Sequence, residues 1–185
     1  MGHLAERLGR LEVDARSPDG NIAARVRGRD QVGVRFASGS YRSYREPELA
    51  GQLSQLATLT WARYRREYRD IMDAHLGVRA VTEDEQDRRF AQEQARLTVR
   101  GVSPGRFVDV SSRALVRWEF ALAGGTVGAL SQERFLAELD AAIDDLLRDH
   151  RFQSVLLAAR FYDLGVPIDA AGRAPVAGRS RDAGW

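Results

Sequence analysis

The feature that most limits how this chain can fold is an internal repeat. Laying Leu11-Glu-Val-Asp-Ala-Arg-Ser-Pro18 on Leu97-Thr-Val-Arg-Gly-Val-Ser-Pro104 sets an offset of 86 residues that runs on without a gap. Leu11/Leu97, Val13/Val99, Ser17/Ser103, Pro18/Pro104, Arg27/Arg113, Ala37/Ala123, Gly39/Gly125 and Leu53/Leu139 are identical pairs. The physical pattern repeats with them: strand, Ser-Pro turn, strand, turn, alternating strand, glycine-containing loop, amphipathic helix. A length of 185 residues suits one domain or two small ones. The repeat divides it into unit 1 (1–81), a divergent unit 2 (82–165) and a tail, 166–185, rich in Ala, Gly, Arg and Ser and expected to be mobile.

In the first copy Leu11 and Val13 alternate with polar neighbours, Pro18-Asp19-Gly20 is a turn sequence, and Ile22, Ala24 and Val26 share one face of the next strand. Gly28-Arg29-Asp30 turns the chain into Val32, Val34 and Phe36, again spaced by two. The second copy reads alike, through Leu97/Val99, Val108/Val110 and Val116/Trp118/Phe120/Leu122. Each copy is therefore a three-stranded antiparallel meander with one wet face. Such a sheet cannot hide its apolar face alone.

A long helix follows each meander. Pro47, a residue tolerated at the first helical position, opens the first, and Ser131 is a good N-cap for the second. Leu49, Leu53, Leu56, Thr60, Tyr64, Tyr68, Ile71 and His75 form one stripe, and Phe135, Leu139, Ala142, Ile143, Leu146 and His150 its counterpart. Short helices precede the meanders, one at the start, where Leu4, Leu8 and Leu11 give helical spacing, and one over Glu83 to Arg96, acidic first and basic last. The fold class is thus α+β, a tandem repeat of helix, meander and long helix.

Composition excludes several functions. There is no cysteine, so disulfides, thiol nucleophiles and zinc-thiolate sites are impossible. Apolar runs are only a few residues long, so no segment spans a bilayer, and a cytoplasmic location is expected. No nucleophile, base and orienter assemble, no Gly-x-Ser-x-Gly elbow occurs, and Ala123-Gly-Gly-Thr-Val-Gly128 lacks the Lys-Ser/Thr of a P-loop and reads as a turn. His3, His75 and His150 are too scattered for a metal site. Glu138, Asp140, Asp144, Asp145 and Asp149 read as a wet acidic face or as a dock for the arginine face of copy one. No enzyme, cofactor or metal is expected.

Charge is uneven. Residues 1–81 hold 14 Arg against 10 acids, residues 82–165 hold 11 against 14, and the tail 3 against 2. Every base is Arg, which fits both a high-GC genome and selection for the guanidinium fork that grips phosphate. Arg63, Arg65, Arg66 and Arg69 form the densest cluster, with Arg25, Arg27 and Arg29 near a turn and Arg173, Arg179 and Arg181 in the tail. Such arginines make either a phosphate-tracking surface or a solvated helix face paired locally with Glu67 and Asp70.

Helix, meander and long helix, with Arg16-Ser17-Pro18-Asp19-Gly20, Val32-Gly33-Val34-Arg35-Phe36 and Glu48-Leu49-Ala50-Gly51-Gln52-Leu53, resembles the YbaB/EbfC family of nucleoid-associated proteins. The closest stretch is Leu8 to Met72, and Leu97 to about His150 is similar but more divergent. The leading helix is shorter than the family's, and copy two is acidic. The resemblance implies an internal pseudo-dimer in which each copy covers the other's sheet, either monomeric or further dimerised. It also implies double-stranded DNA as partner, bound with little sequence preference through Arg25, Arg27, Arg63, Arg65, Arg66 and Arg69. Similar domains occur in actinobacterial proteins associated with type VII secretion, which implies as alternative a protein-binding adaptor or chaperone. Tyr44-Arg-Glu-Pro-Glu48 fits that system's loose export pattern, at a strand-to-helix junction where coincidence explains it.

Overall fold

A computed structural model describes residues 2–28, 31–76 and 85–162. Arg29, the tail and its three arginines lie outside them. The chain runs α1 (Gly2–Gly9), β1 (Glu12–Arg16), β2 (Ile22–Arg27), β3 (Gln31–Phe36), a 3-10 turn (Tyr41–Ser43) and α2 (Glu46–Leu76). It continues as α3 (Glu85–Gln94), β4 (Thr98–Val102), β5 (Val108–Arg113), β6 (Arg117–Leu122), the one-turn α4 (Thr126–Ala129) and α5 (Gln132–Phe161). The strands form two three-stranded antiparallel sheets, β1-β2-β3 and β4-β5-β6. The protein is α+β.

Local structure follows local chemistry at matched places. The Ser17 Oγ accepts the Ile22 N–H at 2.9 Å, and Ser103 Oγ accepts that of Val108 at 3.1 Å. Each serine thereby closes its own β1–β2 or β4–β5 turn. Gly39 and Gly125 both adopt left-handed backbone, φ 75° and 81°, where the chain leaves the third strand. Glu12 stands opposite Arg27 as Thr98 stands opposite Arg113, and Ile22 opposite Phe36 as Val108 opposite Leu122. The Ser131 side chain accepts the Arg134 N–H and caps α5 as its residue type demands.

One apolar core serves both sheets. Leu49, Leu53 and Leu56 of α2 and Phe135, Leu139, Ala142 and Leu146 of α5 are buried together with Ile22, Val26, Val99, Val108 and Val110. Phe36 and Tyr41 meet Phe135, with ring centroids at 6.0 and 5.1 Å, and Trp61 meets Trp118 at 5.7 Å. These aromatic contacts join the first and second halves of the chain. So do polar ones: the Arg42 guanidinium donates to the Val127 and Gly128 carbonyls, and Glu46 accepts the Val127 N–H.

The two long helices sit differently. Helix α2 lies over β1 and β2 but packs most extensively along β6, whereas α5 packs along β4 and touches β3 only lightly. Gly101 sets the position of α5: a Cβ built there would stand 2.1 Å from the Ala142 carbonyl oxygen. Backbone cannot approach so closely over any other residue.

Three expectations need correction. Val116 does not join the β6 face; the ladder ends at Arg117, the turn takes Val116, and that side chain is 49% exposed. His75 is exposed because α2 runs past the sheet it covers. The acidic side of α5 is not simply wet: Glu138, Asp145 and Asp149 accept the backbone N–H groups of Gly105, Val102 and Arg100, at 2.9, 3.1 and 3.2 Å, along the edge of β4 and the turn after it. A sheet edge needs acceptors for its outward donors, and these carboxylates supply them. Asp140 and Asp144 remain exposed.

Candidate nucleic-acid interface

The six arginines singled out from the sequence fall into two groups with different surroundings. Arg25 and Arg27 project from the outer face of β2 beside Glu12 and Asp14 of β1. The Arg25 Nε donates to Asp14 at 2.8 Å and its Nη1 lies 3.2 Å from Glu12, while Arg27 Nη2 lies 2.7 Å from the other Glu12 oxygen. Two cations thus share two carboxylates across neighbouring strands, a pairing that cross-strand geometry favours. Arg63 leans from α2 onto the edge of β1, where its Nη1 donates to the Asp14 carbonyl at 2.8 Å. All three have work inside the fold.

Arg65, Arg66 and Arg69 form the other group. Helical spacing separates them from the inward row: Trp61 and Tyr64 are buried, Tyr68 is half-buried, and the three arginines are exposed. The aromatic row is a stack, with Trp61 and Tyr64 centroids 5.1 Å apart and Tyr64 and Tyr68 6.3 Å apart. Among the described residues no carboxylate forms an ion pair with Arg65, Arg66 or Arg69, although Glu67 and Asp70 are sequence neighbours.

Arg65 also lines a groove of about 660 Å³ that the sequence did not reveal. Its other walls are Trp61 of α2, Ala91 and Gln94 of α3 with Ala95 just past it, His150 of α5, and the whole β5–β6 turn from Arg113 to Arg117. Arg113 and Arg117 therefore join Arg65 across a concave surface. The only sequence signal for Arg113 is its identity with Arg27 in the repeat, which says nothing of the groove. Burial holds the His150 imidazole below the ordinary histidine range, Asp149 opposing and Arg151 reinforcing the shift, so His150 adds little charge at neutral pH.

A second polar cluster is structural. Tyr44 and Ser17 donate to the Asp19 carboxylate, which also accepts the Asn21 N–H. Partial burial raises the Asp19 pKa, but these hydrogen bonds outweigh it and leave the group below its usual range; burial and Asp19 push Tyr44 up. The cluster locks the β1–β2 turn against the start of α2. Among the described residues no group of acidic or histidine side chains could hold a metal ion, and no helix is long and apolar enough to cross a membrane.

The chain matches no family model, no curated protein and no solved structure.

Proposed function

We propose that this chain is a non-catalytic, sequence-nonspecific DNA-binding protein of nucleoid-associated type, acting in the cytoplasm as a tandem pair of YbaB-like units packed into an internal pseudo-dimer. Support for the duplication is positional. Every strand of the second sheet starts and ends at the same interval from its counterpart in the first, and the turn hydrogen bonds follow: Ser17 N–H to Ile22 O at 2.8 Å and Ser103 N–H to Val108 O at 2.9 Å, Gly28 N–H to Leu11 O at 2.8 Å and Ala114 N–H to Leu97 O at 2.7 Å. Two unrelated meanders would have no reason to agree residue by residue.

The observation that carries the binding is the contrast between arginines. Arg25, Arg27 and Arg63 are engaged within the fold, whereas Arg65, Arg66 and Arg69 stand on one helix without acidic partners among the described residues. Unpaired guanidinium groups in a row track a phosphate backbone, and each phosphate they neutralise releases counterions. Base edges need not be read.

Binding of the full chain to labelled duplexes of unrelated sequence, followed by fluorescence anisotropy, tests this. Affinities should agree across sequences and fall by orders of magnitude between about 50 mM and about 200 mM salt. No binding at the lower salt overturns the proposal.

One observation favours a protein-binding adaptor as second reading. The outer edge of β3 has no side-chain cap among the described residues, and Val32 and Val34 are only half-buried there. An uncapped edge accepts an extended partner strand. A discrete protein that co-purifies after nuclease treatment would support this reading over DNA.

A further inference from the structure

At one rung the two sheets differ in charge beside the turn that joins their second and third strands. In the first sheet Glu12, Arg27 and Gln31 lie side by side across β1, β2 and β3, and Glu12 neutralises Arg27 at 2.7 Å. The corresponding rung of the second sheet is Thr98, Arg113 and Arg117. The carboxylate has become a hydroxyl and the amide a second guanidinium. Arg113 and Arg117 are direct cross-strand partners, and like charges so placed repel. Arg117 keeps one exposed contact, 3.2 Å to Glu119, and Arg113 has no ion pair among the described residues.

The turn that joins these two arginines is also costly. Ala114 and Leu115 both adopt left-handed backbone, φ 53° and 52°, which L side chains disfavour; the first half places Gly28 at the matching position, φ 59°. The surroundings hold the turn in this shape. Leu115 is buried, and the Trp118 indole N–H donates to its carbonyl at 3.3 Å. An anchored tip fixes Arg113 and Arg117 on the wall of the groove that Arg65 of α2 also lines. Two independent local penalties, repulsion and backbone strain, coincide at one rim of one groove, a pattern that points to function.

We infer that the tip of the β5–β6 hairpin is a phosphate-binding site: Arg113 and Arg117, with Arg65 of the same groove, grip an oxyanion of the nucleic-acid backbone that runs along α2. Guanidinium-bearing residues from three elements, α2, β5 and β6, line one groove, an arrangement that suits a phosphodiester. The bound phosphate supplies the counter-charge that Thr98 does not. The hairpin thereby adds a second point of contact and fixes how the duplex lies on the helix. This rests on the DNA-binding reading, and the experiment separates the two.

Three full-length proteins are compared in anisotropy titrations with a short labelled duplex: wild type, Arg113→Gln/Arg117→Gln, and Arg66→Gln/Arg69→Gln. Their thermal midpoints without DNA are also measured. The hairpin variant should bind about tenfold more weakly at low salt, with a log–log salt slope shallower by about one. Its midpoint without DNA should match or exceed wild type, because the substitution removes repulsion. If the hairpin variant binds with wild-type affinity and slope while the helix variant is impaired, the hairpin site is wrong and the α2 reading stands. If only the hairpin variant is impaired, the hairpin site stands and the helix assignment falls. A hairpin variant that binds weakly but melts well below wild type makes these arginines structural and overturns the inference. A wild type that binds no duplex removes both.

Discussion

The outer edges of β6 and β3 end their sheets in corresponding positions, yet among the described residues side chains cap the first and not the second. On β6, the Thr58 hydroxyl accepts the Trp118 N–H at 3.2 Å and the Ser54 hydroxyl accepts the Phe120 N–H at 2.9 Å, so α2 lies against the strand as a polar seam. On β3, the matching donors belong to Val32 and Val34, and the residues of α5 at the matching helix positions are Asp140 and Asp144, which stay exposed. Helix α5 lies instead against its own sheet, close to the backbone of Gly101 where the first half has Ala15, with Asp145 and Asp149 bonded to β4 and Glu138 to the turn that follows it. The comparison teaches that strand bounds and registers can match throughout while a few residues decide how each helix docks.

The largest expected effect tests what the two halves share. Leu53→Asp and Leu139→Asp each put a charge into the common core, where the native side chains are 3% and 0% exposed, and either change should unfold the whole chain. Circular dichroism melting checks this; loss of only one half's structure would show that the halves fold separately. Next comes the asymmetry itself. Gly101→Ala forces α5 off β4 and should cost about 3 kcal/mol in denaturant unfolding, whereas Ala15→Gly should cost only about 1 kcal/mol. Equal costs would mean that close approach at Gly101 does not position the helix.

Smaller effects sharpen the contrast between edges. Ser54→Ala removes the acceptor of the Phe120 N–H and should cost about 1 kcal/mol, with faster hydrogen exchange at that amide and none of this at Val34. The smallest is a pH effect confined to the second half, where His150 stands at the helix position that Tyr64 fills in the first. Burial lowers the His150 pKa, so the unfolded chain takes up its proton first; stability is complete above the ordinary histidine range and declines as pH falls through it toward the folded value. His150→Phe should flatten the thermal midpoint against pH in that interval. An unchanged profile would show that Asp149 and Arg151, which also face the ring, leave it without net effect.

Much of this architecture is legible in the sequence because it is local. Alternation at Val13, Ile22, Ala24, Val26, Val32 and Val34, the Ser-Pro turns, and the Ser131 cap name strands, turns and helix starts without help from distant residues. Legibility fails where a residue's partner is remote. Nothing near Arg25 or Arg63 announces Asp14, so a basic cluster in sequence separates in space into paired and unpaired members. Trp61 falls outside the single-row stripe because it packs on Trp118 from the other half. The Arg113-Ala-Leu-Val-Arg117 turn carries no glycine, asparagine or aspartate to mark it, since burial of Leu115 and the Trp118 bond hold a backbone that local preference would reject.

The distinction between engaged and unengaged arginines is most directly tested by NMR of the arginine Nε–Hε groups during titration with duplex DNA. The account predicts that Arg65, Arg66 and Arg69 shift and broaden at low salt and return as salt is added, while Arg25 and Arg27, held by Glu12 and Asp14, stay in place. Shifts confined to Arg25 and Arg27, or none at α2, would contradict it.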